Sequence, residues 1–205
     1  MKLHMVDLIG QYNKIKDEID GAVLETIASS AYINGPQVSS FSKNLANYHG
    51  VRHVIPCANG TDALQIALMA LDLKRGDEII VPAFTYVATA EVIALLGLTP
   101  IMVDVDPDHF NLTGELFEKA ITPRTKAVVP VHLFGQAAEM EDIMKIASKY
   151  DIYVIEDNAQ AIGANYQFSD GSVKKAGTIG HIGTTSFFPA KNLGCFGDGG
   201  AIFTN

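Results

Sequence analysis

The sequence has few cysteines, no excess of basic residues and no long apolar run. Its two cysteines, Cys57 and Cys195, stand far apart and fall into no metal-ligand spacing. A disulfide framework is therefore not expected, and a reducing compartment fits better. Lysine and arginine number 15 against 23 aspartates and glutamates, a net charge of −8. That balance argues against nonspecific nucleic-acid binding, which needs a basic footprint. No apolar run approaches the ~20 residues that cross a bilayer. Asp7 interrupts the only apolar start, which reads against a secretory leader. These features predict a soluble cytoplasmic protein with no nucleic-acid and no membrane partner. Nucleotide fingerprints are missing too. Gly177, Gly180 and Gly183 do not fit G-x-G-x-x-G and no clear helix follows them, so a dehydrogenase is disfavoured. His132 and His181 lack partners at ligand spacing, so no metal is expected and both read as structural or substrate-side residues.

What is present is an alternation of helical and strand-like segments. A chain of 205 residues, 48% hydrophobic and 19% charged, suits one α/β domain or a little more. Ile15, Ile19, Val23 and Ile27 recur at four-residue spacing and predict a helix over 11–28. A second helix is expected over 41–48, ended by Gly50. Short apolar runs predict strands at 53–57, 78–81, 100–103, 126–131 and 152–155. Helices are expected between them at 62–71, 87–96, 113–121 and 140–150. Thr113 with Leu116 makes half a capping box. The glycine-rich last third predicts short strands at 184–187 and 201–204. Apolar strands alternating with helices mean a mostly parallel sheet with helices on both faces.

In such sheets ligands sit beyond the carboxyl ends of the strands, so the residues after each run are the candidates. Asn59-Gly60-Thr61-Asp62 opens a helix, where free N–H groups and the dipole attract an anion; plain N-capping by Asn59 or Thr61 is the alternative. Asp157 follows an apolar strand and needs a cation or several donors if buried, or else caps the next turn. Phe84 and Tyr86 follow another strand. An aromatic there can stack on a flat ring, although core packing is the commoner fate for Phe84. Lys191 is the one charge between His181 and Asp198. Desolvation lowers an amine's pKa, and a neutral amine forms Schiff bases; the alternative is an ordinary surface lysine.

Together these blocks resemble the DegT family of sugar-nucleotide aminotransferases, from about Asp7 to the last residue. They run in order: 58–64, 82–91, 122–127, 131–136, Glu156-Asp157-Asn158-Ala159-Gln160, and 186–200. The resemblance implies the large domain of the type I aspartate-aminotransferase fold, with pyridoxal 5'-phosphate as cofactor. It implies that Lys191 bonds the cofactor aldehyde, Asp157 pairs with the ring nitrogen and Gln160 lies beside the ring hydroxyl. It further implies that Gly60, Thr61 and Ser186 form the phosphate cup, that Tyr86 stacks on the ring, and that the protein is a homodimer. A branch of the family that removes a hydroxyl carries histidine at the lysine position, so Lys191 favours transamination.

Residues 191–200 look most like enzymes that aminate UDP-2-acetamido-2-deoxy-3-oxo-glucuronate with glutamate, for surface polysaccharide such as lipopolysaccharide O-antigen. Alternatives are another dTDP, UDP or GDP keto deoxysugar, or a cofactor-binding module without activity. Asn158 replaces a small residue found in many relatives, with little consequence expected. The domain reading is an N-terminal helical segment over 1–30 and a cofactor-binding large domain over 31–205. The chain stops one residue past a predicted strand, so a fragment lacking a C-terminal small domain is expected.

Overall fold

The structure, a computed structural model, describes residues 5–205. The first four residues of the helical segment expected over 1–30 lie outside the described residues. Helix α1 spans Leu8–Ser29, started by Asp7, whose carboxylate accepts from Gly10 N, and stopped by Ser30 in the left-handed region. Ile15 leaves helical geometry and kinks it. The apolar stripe that predicts this helix finds no core in this chain: Val23 and Ile27 are exposed. Helix α2 (Pro36–His49) begins with proline at its first turn and ends on left-handed Gly50.

The remaining elements are β1 (His53–Cys57), α3 (Gly60–Met69), β2 (Glu78–Pro82), α4 (Ala88–Leu95), β3 (Thr99–Val103), α5 (Gly114–Ala120), β4 (Thr125–Val128), a 3-10 turn at Leu133–Gly135, α6 (Met140–Tyr150), β5 (Tyr153–Asp157), β6 (Asn165–Gln167), β7 (Val173–Lys175), β8 (Ile182–Ser186) and β9 (Gly200–Thr204). Thr113 caps α5 by accepting from Leu116 N, as the half capping box implies. No helix among the described residues is long and apolar enough to cross a membrane.

Seven strands form one sheet in the order β1-β9-β8-β5-β4-β2-β3. Strands β8, β5, β4, β2 and β3 pair in parallel, while β9 runs antiparallel to both of its neighbours, β8 and β1. Two expectations need correction. The first strand is a half-exposed antiparallel edge rather than a buried parallel strand. The strand expected to reach Val131 stops at Val128, and Val131 keeps only an isolated bridge to Asp157. Pro130 lacks the N–H that would continue the ladder. The small β6–β7 hairpin was not anticipated.

Alternation along the strands builds a core on each face. Ile79, Val81, Ala127, Val129 and Ile155 pack with Leu64, Leu68, Val92 and Ile93 of α3 and α4. Their sequence neighbours Ile80, Val128 and Val154 pack with Phe117, Met140, Ile143 and Ala147 of α5 and α6. Both faces are covered, so every strand end in the middle of the sheet opens at its rim. At the opposite rim, buried Glu78 starts β2 and is held by the Arg124 guanidinium and the Thr122 hydroxyl.

A third cluster joins α2 to β9 through Leu45, Phe187 and Phe203. His49 is buried there, stacked on Phe203 with ring centroids 4.6 Å apart, and neither ring nitrogen has a partner among the described residues. Burial, with Lys175 nearby, lowers its pKa from 6.5 to about 4. The folded state therefore holds His49 neutral. Its contribution is full above pH 6.5 and is lost as pH falls toward 4. Between pH 7 and pH 5 the wild type loses on the order of 2 kcal/mol more stability than His49→Phe, which keeps the stacked ring. Urea unfolding at the two pH values measures this difference, and equal losses in both proteins contradict it.

Candidate active site

The carboxyl ends of the central strands and the start of α3 surround a cavity of about 700 Å³, within the range of small-molecule sites. Gly60, Thr61, Tyr86, Asp157, Gln160, Ser186 and Lys191 all line it. The sequence scatters them over more than a hundred residues, and the topology brings every one to a single rim of the sheet.

The corner expected to take an anion lies where α3 meets β8. Asn59 caps the helix, its side chain accepting from Asp62 N at 2.8 Å. The capping reading holds for Asn59, and the cap leaves the first N–H groups, on Gly60 and Thr61, with no intrahelical carbonyl. Gly60 is also a steric requirement: a Cβ there would stand 2.5 Å from Ser186 Cβ. Backbone N–H groups and the Ser186 hydroxyl therefore crowd the same point.

Asp157 ends β5 and is 5% exposed. Its Oδ2 accepts from Thr89 Oγ1 at 2.9 Å and its Oδ1 from Ala159 N at 3.1 Å. Burial pushes its carboxyl up, against the pull of the Ala159 N–H and the Thr89 hydroxyl. Among the described residues no ion pair neutralises it. Lys191 is the one cationic side chain lining the cavity, which Asp62 and Asp198 also line. The loop bearing Lys191 folds tightly on itself: Lys191 N donates to Phe188 O and Cys195 N to Phe187 O, both at 2.8 Å. Gly194 lies so near that a Cβ would sit 2.2 Å from Pro189 O. Only glycine fits that fold-back, and the fold-back aims the loop at the cavity.

Gln160 is oriented from behind. Its Oε1 accepts from Phe134 N at 2.9 Å, which leaves its Nε2 hydrogens to donate. Phe134 is in the left-handed region with φ 56°, a strained position for a large side chain. Asn111 holds that turn by accepting from Leu133 N and donating to Gln136 O, both at 3.0 Å. Tyr86 is mostly exposed at the cavity mouth.

Several contributors were not anticipated. Thr89 read as one more residue of an apolar helix. Glu156 faces away from the cavity and, fully buried, accepts from Gly177 N, Ile179 N and Gly180 N and from His132 Nε2. His132 Nδ1 accepts from Ala138 N, and His181 Nδ1 accepts from Val154 N. Both histidines are thus structural. Phe84 is half exposed instead of packed in the core, and meets Phe110 and Phe134 at 5.8 and 6.3 Å between ring centroids. Asn158 is fully buried and its side-chain amide has no partner among the described residues, which nothing in the structure explains.

The chain and its fold are similar to those of known proteins. The chain is 52% identical, over 99% of its length and 55% of the relative's, to a UDP-2-acetamido-2-deoxy-3-oxo-D-glucuronate aminotransferase of Pseudomonas aeruginosa. The fold matches a DegT DnrJ EryC1 StrS aminotransferase from Brucella abortus with a TM-score of 0.93 and 46% identity, covering 100% of this chain and 55% of that one. It also matches NtdA of Bacillus subtilis, solved with bound cofactor PMP, with a TM-score of 0.88 and 36% identity over 99% of this chain and 45% of that one. The chain spans about half the length of the curated relatives it matches. The model of the DegT/DnrJ/EryC1/StrS aminotransferase family matches residues 13–205, and the chain belongs to that family.

Proposed function

We propose that this chain is the cofactor-binding part of a pyridoxal-phosphate-dependent aminotransferase that turns the keto group of a nucleotide-linked sugar into an amine. The observation that carries this reading is the pairing of one lysine with one buried carboxylate, which has no ion-pair partner among the described residues, across a single cavity. The residues fit the cofactor. The α3 N-terminus and Ser186 suit its phosphate, and the Asp157 carboxylate suits a protonated ring nitrogen. The Gln160 amide suits the ring hydroxyl, the Tyr86 ring suits stacking, and the Lys191 amine suits the aldehyde.

Bound there, the cofactor supplies an electron sink for the carbon that loses its proton. Lys191 would hold the cofactor by its aldehyde, and its Nζ, when free, would take the proton from the donor's α-carbon and return one to the sugar carbon in the second half-reaction. Asp157 keeps the ring nitrogen protonated, so that the sink stays strong. Gly60, Thr61 and Ser186 anchor the phosphate during the interval when Lys191 holds nothing.

The reading extends to UDP-2-acetamido-2-deoxy-3-oxo-glucuronate as keto sugar and glutamate as donor, in the cytoplasm, for surface polysaccharide such as lipopolysaccharide O-antigen. The Pseudomonas aeruginosa relative's name supports the sugar, as does the 191–200 block. In this reading the helical segment that includes Leu8–Ser29 precedes a large cofactor-binding domain over 31–205. The protein acts as a homodimer. The exposed stripe of α1 and the Phe84–Phe110–Phe134 cluster support this, being apolar surface of the kind a second copy covers.

The test incubates the full-length protein with pyridoxal phosphate, glutamate and a panel of nucleotide keto sugars. Release of 2-oxoglutarate in equal amount to a 3-amino uronic acid is expected. Amination of a 4-keto deoxysugar alone overturns the substrate. Loss of a sugar hydroxyl without glutamate consumption overturns the reaction.

A further inference from the structure

The carboxylate at the end of β5 does not stand alone. Thr89, the second residue of α4, is 1% exposed, and its hydroxyl donates to Asp157 Oδ2 at 2.9 Å. No other side-chain hydroxyl among the described residues bonds this carboxylate. The helix turn that carries Thr89 is tied to the loop after β2, since Thr89 N donates to Tyr86 O at 3.3 Å. Tyr86, Ala88 and Asp157 line the same cavity. One short segment therefore places an aromatic ring at the cavity mouth and a hydroxyl against the carboxylate at its floor.

We propose that Thr89 is a positioning residue that fixes the Asp157 carboxylate in plane and in its ionised form, so that it keeps the cofactor's ring nitrogen protonated. This inference rests on the cofactor reading given above.

Three physical facts support it. An ionised carboxylate offers about four lone-pair sites, and here each oxygen takes one internal donor: Thr89 on Oδ2 and the Ala159 N–H on Oδ1. Two donors on opposite oxygens define the carboxylate plane and leave one lone pair on each for a ligand. Second, a donor stabilises the charged form of an acid, and burial pushes this acid the other way. Loss of the hydroxyl leaves burial less opposed. Third, the remaining charged groups do not replace it. His132 and Lys191 are the basic side chains that face Asp157; His132 is engaged by Glu156, and Lys191 is claimed by the cofactor aldehyde. Asp62 and Asp198 line the same cavity with the same sign of charge as Asp157. Glu156, next in the chain, is turned away and satisfied by its own donors.

Thr89→Val keeps the branched shape and removes the hydroxyl, and Thr89→Ser restores the hydroxyl on a smaller side chain. Two readouts in the full-length protein separate the possibilities. Without cofactor, carbon-13 NMR of the Asp157 carboxyl, assigned with Asp157→Asn, follows its titration. Thr89→Val is expected to raise that midpoint by about one pH unit, and Thr89→Ser by much less. With pyridoxal phosphate labelled with nitrogen-15 in the ring, the ring nitrogen of Thr89→Val is expected to lose its proton about one pH unit below the wild type. A role in folding alone would lower melting temperature and leave both curves in place. Superimposable carboxyl titrations for wild type and Thr89→Val overturn the inference. A normal carboxyl shift with no cofactor bound to the wild type overturns the cofactor reading instead, and with it this role for Thr89.

Discussion

Replacing Lys191 with alanine removes the visible absorbance that the protein gains with pyridoxal phosphate and lowers amino transfer by roughly 10⁴-fold or more. Two losses add in that figure. The first is the covalent anchor, because among the described residues no other amine lines the cavity. The second is the base that carries the proton, and no lining residue replaces it. Tyr86 is at the mouth and the three aspartates are anchored elsewhere: Asp62 at the α3 cap, Asp157 by Thr89 and Ala159, Asp198 on Gly199 N. The corner around Gly60 and Ser186 that we propose for the phosphate is untouched by the substitution. The cofactor should therefore still bind, noncovalently and without the band. Lys191→Arg keeps the charge but gives no nucleophile, since guanidinium does not deprotonate, and it should fail equally. A persistent visible band in Lys191→Ala would mean that another amine forms the bond.

The second large effect is expected at Asp157. Asp157→Asn keeps the volume and a partner for Thr89, and removes the negative charge. The ring nitrogen then loses its counter-ion in a buried setting, where charge matters most. Single-turnover rates of proton removal from glutamate should fall roughly 10³-fold, while cofactor affinity changes far less, because the proposed phosphate contacts at Gly60, Thr61 and Ser186 are kept. Rates equal to wild type would exclude this role. A parallel collapse of affinity and rate would instead make Asp157 a binding residue.

Much of this site is legible in the sequence, for identifiable reasons. Lys191 is conspicuous because the segment around it carries no other charge, and that same segment folds against the cavity. Asp157 and Gly60 are legible because an apolar run precedes each, and the ends of such runs gather at one rim. The layered core follows from the same runs, with Ile79 and Ile80 facing opposite helices. Strand direction is not legible. The apolar run of Ala201–Thr204 suits either orientation, and only pairing with β8 and β1 decides it. The β6–β7 hairpin escapes notice because Lys174 and Lys175 interrupt any apolar pattern. Thr89, Asn111 and the Glu156–His132 pair are hidden for a further reason. Each acts on a partner more than twenty residues away, and a lone polar residue carries no period. The exposed stripe of α1 shows the converse: a clean helical period can serve a surface that this chain does not itself cover.

The central claim is that Lys191 is the amine that bonds the cofactor. Borohydride reduction of the full-length protein with pyridoxal phosphate, followed by peptide mapping, tests it directly. The account predicts one phosphopyridoxyl group, on the peptide containing Lys191. Label on any other lysine, or no label at all, would contradict it.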